Sequence, residues 1–157
     1  MNASNDLRVL VVAPFGKDAA LIESALRGPG ISVSALPGPG ELTTAILGGA
    51  GTAIITEEVL QNGAVEEVAR VVRQQPPWSD FPFIVLTGGG VSTAATEIAA
   101  RSVAPLGNVS LLERPLRPAT LISAVRSALA ARQRQYTSGN RSGRHCGRRR
   151  TSRGQQR

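Results

Sequence analysis

Residues with charged or reactive side chains stand directly behind three of the apolar runs in this sequence. Glu57-Glu58 follows the third run, Thr87 follows the fourth, and Arg114-Pro115 comes just after the fifth. A guanidinium can bind a carboxylate through two parallel hydrogen bonds, so these residues could form a fixed ion pair beside a hydroxyl. The first run is followed by Ala13-Pro14, which offers no side-chain ligand to a metal ion.

Other kinds of reactive site are not supported by the sequence. His145 and Cys146 are the only histidine and cysteine, and both lie near the end of the chain without further metal-ligating residues. Zinc binding, a Ser/His/Asp triad and an intramolecular disulfide are therefore not expected. Gly88-Gly89-Gly90 could cradle a phosphate, but a plain loop is favoured because no lysine or Walker pattern accompanies it. We predict no resident metal or cofactor and no enzymatic activity.

Five short β-branched runs must position these residues. They alternate with stretches of helical spacing, which predicts a parallel sheet covered by helices on both faces. Runs one, three and four are almost continuously apolar, as strands buried on both faces are, whereas runs two and five contain serine, as edge strands can. This contrast predicts a flavodoxin-like α/β sheet in the order 2-1-3-4-5. The runs are Leu7–Val12, Ile31–Ala35, Ala53–Ile55, Phe83–Leu86 and Val109–Leu112.

Helical spacing of apolar residues fills the intervals between the runs. Apolar residues recur at i, i+3, i+4 and i+7 from Val65 and again from Val91, and a weaker helix is expected from Glu41 to Leu47. Pro118 suits the first position of the last helix. The first helix has a face of Leu21, Ile22, Ala25 and Leu26, and the last has a face of Leu121, Ile122, Val125 and Leu129.

The excess positive charge is confined to the end of the chain. The net charge is +7, but seven of the 18 basic residues lie after residue 134, and the 11 that remain equal the 11 acids in number. Residues 135–157 are rich in Arg, Gly and Ser, which predicts a disordered basic tail behind a folded domain of residues 1–134. The tail could bind nucleic acid, contact acidic proteins or membranes, or result from a frameshift in GC-rich coding DNA.

The cellular compartment is predicted from features that the sequence lacks. The first residues hold no basic segment followed by an apolar one, and no apolar run approaches the roughly 20 residues that span a bilayer. A single cysteine also gives no sign of a disulfide framework. The expectation is a cytoplasmic protein without membrane insertion.

Taken together, the residues at the strand ends resemble the receiver (CheY-like) domain of bacterial two-component signalling, over about residues 7–133. Receivers carry an acidic pair after strand one, a phosphoacceptor aspartate ending strand three, Thr or Ser ending strand four, and Lys-Pro after strand five. The segments Pro76–Asp80 and Leu112–Pro115 are similar to degenerate receivers at the N-terminus of some hybrid sensor histidine kinases. The receiver positions fall, in that order, on Ala13 and Pro14, on Glu57, on Thr87, and on Arg114 and Pro115.

The resemblance implies a protein-interaction module that is not phosphorylated. Receiver phosphorylation needs Mg²⁺, which prefers carboxylate oxygens, and Ala13-Pro14 supplies none. Glu57 would carry its carboxylate one methylene further out than aspartate, where it could imitate the charge of a phosphorylated receiver. A Glu57–Arg114 pair would then hold the site in one fixed state without phosphate. The implied partner is a histidine kinase or another signalling protein, and the face from Val91 to Arg134 could carry a homodimer.

Simpler interpretations of the same residues stay open. Glu57 could merely open a helix, where acids favour the N-terminal dipole, Thr87 could be an ordinary strand-end residue, and Arg114 could be a solvated charge. Two other functions also stay open: a nucleic-acid-associated protein that acts through its tail, and a phosphorylatable regulator with unusual ligands.

Overall fold

The computed structural model describes residues 7–14, 16–60, 63–75, 79–88, 101, 103–114 and 116–148, the last ten of these as backbone only. None of the helices in these residues is long and apolar enough to cross a membrane. The strands are β1 (Val9–Val12), β2 (Val33–Ala35), β3 (Thr52–Thr56), β4 (Phe83–Thr87) and β5 (Val109–Glu113). The helices are α1 (Asp18–Arg27), α2 (Pro39–Leu47), α3 (Ala64–Arg73) and α4 (Pro118–Arg148), with 3-10 turns at Glu57–Leu60 and Ala104–Leu106.

The sheet confirms the predicted architecture. Its five strands are all parallel and follow the order β2-β1-β3-β4-β5. Every residue of β1, β3 and β4 is buried, whereas β2 and β5 contain only half-buried and exposed residues. The contrast arises because helices cover both faces of the central strands, so that a polar side chain there would lose its water without a partner.

The helices match the expected intervals. Pro118 begins α4, as predicted, because a proline at this position removes an N–H that would have no partner within the helix. Pro39 occupies the equivalent position of α2. The helix predicted from Val91, and with it the first part of the proposed dimer face from Val91 to Arg134, lies outside the described residues.

Two apolar layers hold the helices against the sheet. On one face, side chains such as Leu10 and Ile55 pack with α2 and α3, and on the other, Val11 and Ile54 pack with α1 and α4. One residue departs from the predicted pattern: Leu21 is 58% exposed, because Ile22 and Leu26 are the residues of α1 that face the sheet.

A cluster of polar contacts fixes the middle of α4 to the amino edge of the sheet. The side chain of Arg132 is 3% exposed, and its guanidinium lies 5.2 Å from the ring centre of Phe81 and 4.6 Å from that of Tyr136. Its Nη1 donates to the hydroxyl of Ser79 at 2.6 Å. Its Nε donates to the carbonyl oxygen of Ala50 at 3.4 Å, and the Tyr136 hydroxyl donates to the same oxygen at 3.3 Å.

Gln135 completes this attachment. Its side-chain amide donates to the carbonyl oxygen of Asp80 at 2.8 Å, and its Oε1 accepts the backbone N–H of Asp80 at 2.9 Å. We call the set of Arg132, Gln135 and Tyr136 the Arg132 latch. It ties α4 to the two loops that lead into β3 and β4.

The end of α4 differs from the sequence prediction. Disorder was expected from residue 135, whereas the helix continues to Arg148. The Arg132 latch explains the first part of the extension, because Gln135 and Tyr136 gain partners in the folded domain. Adding residues to an existing helix also avoids the cost of nucleation. The division into a domain of residues 1–134 and a separate tail stays a prediction, with the helix crossing its boundary.

Candidate functional site

The carboxyl edge of the sheet brings the predicted site residues together. Because the strands are parallel, their carboxyl ends meet at one edge, as they do at the ligand-binding edge of other open α/β sheets. Ala13, directly after β1, is 5% exposed, while Pro14 is exposed. β4 ends at Thr87, and Arg114 directly follows β5. Pro115 lies outside the described residues.

Arg114 holds two carboxylates at this edge. Its Nη1 and Nη2 donate to Glu58 Oε1 and Oε2 at 2.8 and 3.2 Å, which is the bidentate geometry. Nη2 also lies 3.0 Å from Asp18 Oδ2. The three side chains are 20 to 40% exposed, so the cluster lies at the surface without being fully solvated. One guanidinium therefore links the start of α1, the turn after β3 and the end of β5.

The predicted Glu57–Arg114 pair is wrong, since Arg114 binds the neighbouring glutamate and Asp18. Glu57 Oε1 instead accepts the backbone N–H of Gly88 at 2.9 Å. The reason is local geometry: Glu57 and Glu58 begin a 3-10 turn, in which successive side chains point about 120° apart. Only one of the two can face Arg114, and the other faces the loop after β4.

Asp18 was missed by the sequence analysis. It is the first residue of α1, a position where acids are common because they favour the helix dipole. That position alone gives no sign of a partner. Only the parallel sheet, which places the start of α1 beside the end of β5, shows that Asp18 meets Arg114.

Thr56, not Glu57, ends strand β3. Its register partner in β4 is Leu86, and Glu57 already belongs to the following turn. Thr56 is 1% exposed, and its hydroxyl has no hydrogen-bond partner among the described residues. The resemblance to receivers places the phosphoacceptor position on Glu57, whereas the last residue of β3 is Thr56, which carries a buried, neutral hydroxyl.

Thr87, at the same edge of the sheet, also forms hydrogen bonds that join the end of β4 to the end of β5. Its hydroxyl donates to the carbonyl oxygen of Leu112 at 3.5 Å, and its own carbonyl oxygen accepts the N–H of Arg114 at 3.1 Å. These contacts continue the pairing of β4 with β5 past the ends of the strands. Thr87 thus helps to place the backbone from which the Arg114 side chain extends.

The ion pair changes the acidity of its members. Hydrogen bonding to Arg114 lowers the pKa of Glu58 below its ordinary value, and partial burial opposes this shift without cancelling it. The Thr56 hydroxyl adds a small further lowering of this pKa by its proximity, although it does not reach hydrogen-bonding geometry. The same contact with Glu58 raises the pKa of Arg114. Both groups are therefore held in their charged forms.

Stability is expected to fall in acid as Glu58 is protonated. Because the folded-state pKa of Glu58 is lowered, the ion pair contributes fully above the pKa of the unfolded chain and is lost as pH falls through the folded-state value. Glu58→Gln should lower the free energy of unfolding at pH 7 by up to about 1 kcal/mol, as for a partly exposed pair, and by nothing in strong acid. Urea unfolding at both pH values measures this. Glu67→Gln, at an exposed position on α3, is the control. An unchanged pH dependence in Glu58→Gln would contradict the assignment.

The three carboxylates at this edge already have partners within the protein. Asp18 and Glu58 both contact the Arg114 guanidinium, and Glu57 accepts a backbone N–H. Over the parts of the chain that the structure describes, no three acidic, histidine or cysteine side chains are arranged to hold a metal ion. The arrangement is chemically a carboxylate–guanidinium–carboxylate bridge.

Receiver domains are among the solved structures that superpose on this fold. The signal receiver domain of a putative LuxO repressor protein from Vibrio parahaemolyticus superposes with a TM-score of 0.66 at 17% identity, covering 84% of this chain and 96% of that one. A response regulator receiver protein from Sinorhizobium medicae gives a TM-score of 0.61 at 24% identity, covering 80% and 96%. NtrX from Brucella abortus, in complex with ADP, gives 0.63 at 18% identity. That match covers 85% of this chain but only 28% of the NtrX chain.

The fold is therefore that of the receiver (CheY-like) domains, a flavodoxin-like five-stranded α/β sheet. At these identities the similarity concerns the fold. No protein-family model and no curated relative matches the sequence.

Proposed function

We propose that this protein is a pseudo-receiver, a signalling module of the two-component type that acts by binding other proteins and is not phosphorylated. The observation that carries the proposal is the Arg114 bridge between Glu58 and Asp18, at the edge where Ala13-Pro14 replaces the acidic pair. The guanidinium of Arg114 therefore supplies a permanent positive charge between two carboxylates at this edge.

The chemistry of phosphoryl transfer supports the absence of phosphorylation. The transfer develops negative charge that Mg²⁺ normally neutralises, and Mg²⁺ requires carboxylate oxygens in near-octahedral geometry. Ala13 and Pro14 have no side-chain ligand, and each offers only a backbone carbonyl oxygen. Arg114 carries a positive charge, but its Nη atoms already bind two carboxylates. An incoming phosphoryl group would have to displace one of them.

The acceptor position supports the same conclusion. An acyl phosphate forms on a carboxylate, and the residue that ends β3 is Thr56, whose hydroxyl is buried. Glu57 has a carboxylate, but it is turned toward the N–H of Gly88. Neither residue presents an exposed carboxylate beside a metal ligand.

A fixed site suits a protein that serves as a constant binding surface. In a receiver with two states, the charge at the phosphorylation site selects between them, as other charge switches do. Here the Arg114 bridge would keep one state at all times. We propose a histidine kinase or another cytoplasmic signalling protein as the partner, and binding rather than catalysis as the activity.

Treatment with a small phosphodonor tests the proposal. The protein is incubated with labelled acetyl phosphate and Mg²⁺, and its intact mass is then measured, with a receiver that retains its acidic pair treated in parallel. We expect an adduct on that receiver and none on this protein. A stoichiometric phosphoryl adduct on Glu57 would refute the proposal and favour a phosphorylatable regulator with unusual ligands.

A further inference from the structure

The exposed side of α4 carries a row of arginines that the proposed signalling function does not use. The Arg132 latch and the buried residues Leu121 and Val125 define the side of α4 that faces the domain. Arg126 and Arg134 are both exposed on the opposite side. Because the latch fixes the rotation of the helix about its axis, it also fixes the direction that this outer side faces.

The row continues along the rest of the helix. At about 100° per residue, positions 141, 144 and 148 fall on the same side of the axis as positions 126 and 134, and the five positions lie within an arc of about 80°. We call these five the arginine stripe. From residue 126 to residue 148 it is about 33 Å long, at 1.5 Å per residue. No acidic residue occurs between Pro118 and Arg148, so the helix itself does not neutralise the stripe.

From this placement we infer that the arginine stripe binds the phosphate backbone of a nucleic-acid duplex, without sequence specificity. Arginine on one side of a helix is suited to this partner because each neutralised phosphate releases condensed counterions. The length of the stripe is close to one turn of B-form DNA, about 34 Å. The inference is independent of the proposed signalling function, since it involves neither Arg114 nor the carboxyl edge.

The composition of the helix argues against a membrane surface as the partner. An interfacial helix needs large apolar side chains on the side opposite its cations. Up to Tyr136 that side of α4 is occupied by the domain, and from Thr137 to Arg148 the sequence contains no large apolar residue. Charge alone would then have to hold the helix at a lipid surface.

Fluorescence anisotropy with labelled 20-base-pair DNA and RNA duplexes tests the inference in the full chain. One variant removes the outer part of the stripe (Arg141→Gln, Arg144→Gln, Arg148→Gln), and another removes the inner part (Arg126→Gln, Arg134→Gln). A control lowers the net charge by the same three units at exposed arginines on other helices (Arg27→Gln, Arg70→Gln, Arg73→Gln).

We expect the triple stripe variant to bind at least about tenfold more weakly at 100 mM salt. The slope of log affinity against log salt concentration should become shallower by about 2.7, and by about 1.8 for the double variant. The control should bind like the unmodified protein. DNA and RNA duplexes should behave alike, because only phosphates are contacted.

Four results would overturn the inference. They are the absence of duplex binding at low salt, an equal loss in the control, a double variant without effect, and tighter binding to polyglutamate or phosphatidylserine vesicles than to either duplex. No duplex binding, or an equal loss in the control, would show that the arginine stripe is not a nucleic-acid-binding site. A double variant without effect would show that only the end of the chain binds the duplex, and tighter binding to polyglutamate or vesicles would assign the stripe to another class of partner.

Discussion

A variant that carries Ala13→Asp, Pro14→Asp, Thr56→Asp and Arg114→Lys is expected to bind Mg²⁺ and to accept phosphate from acetyl phosphate, unlike the unmodified protein. The first three changes place carboxylates at the ends of β1 and β3, where the parallel sheet brings them together. The fourth replaces the bidentate guanidinium by a single ammonium, which cannot hold two carboxylates in the same way.

The expected gain is large because of the charges involved. Without a metal ion, each pair of like charges at about 4 Å and an effective dielectric constant of about 20 costs roughly 4 kcal/mol. That cost corresponds to nearly three decades in rate. Titration calorimetry with Mg²⁺ and intact-mass analysis after acetyl phosphate treatment measure the two effects. Single restorations should show neither, because one carboxylate makes a poor magnesium site.

A matched variant distinguishes the two candidate acceptor positions. It has the same changes at Ala13, Pro14 and Arg114, but Glu57→Asp in place of Thr56→Asp. We expect this variant to bind Mg²⁺ more weakly and to form no stoichiometric adduct, because residue 57 lies in the turn beyond the strand. If the variant with Glu57→Asp is phosphorylated and the variant with Thr56→Asp is not, residue 57 is the acceptor position.

Replacing Arg132 by alanine is expected to lower the free energy of unfolding by about 2 to 4 kcal/mol. The change removes the guanidinium from its contacts with two aromatic rings and takes one donor from the buried carbonyl oxygen of Ala50, which keeps the Tyr136 hydroxyl, and one from the half-buried Ser79 hydroxyl. A hydrogen bond from a charged group contributes about 1.5 to 3 kcal/mol, and a desolvated cation–π contact contributes about 2 kcal/mol. Urea denaturation monitored by circular dichroism measures the loss.

Arg134→Ala is the control for this prediction, since Arg134 is an exposed arginine two residues further along the same helix. Exposed substitutions of this kind change stability by less than about 0.5 kcal/mol. Equal effects of Arg132→Ala and Arg134→Ala would show that the Arg132 latch adds nothing to the attachment of α4.

The order of the strands could be predicted because strands buried on both faces contain few polar residues, whereas edge strands contain more. β1 and β4 contain no polar residue before their last position and lie inside the sheet, while Ser34 and Ser110 mark the two edges. Strand order followed from this contrast without any knowledge of contacts. The same reasoning placed Thr87 and Arg114 at one edge, because parallel strands end together.

The partners within the site could not be predicted in the same way. Glu57 and Glu58 are adjacent and chemically identical. Which of them binds Arg114 depends on the direction of a 3-10 turn, and no residue pattern predicts that direction. Asp18 is 96 residues from Arg114 along the chain, and only the assembled fold brings them to 3.0 Å. Gln135 and Tyr136 were assigned to the tail because their sequence surroundings are polar, although their contacts lie in distant loops.

The attachment of α4 near its middle has a mechanical consequence. The helix starts at Pro118, four residues after Arg114, and the Arg132 latch holds it at residues 132 to 136. About 21 Å of helix lies before the latch and about 18 Å after it. Because Leu121 and Val125 also pack the first half against the sheet, α4 is a rod clamped to the domain over its first half, and its far end follows any displacement of the latch.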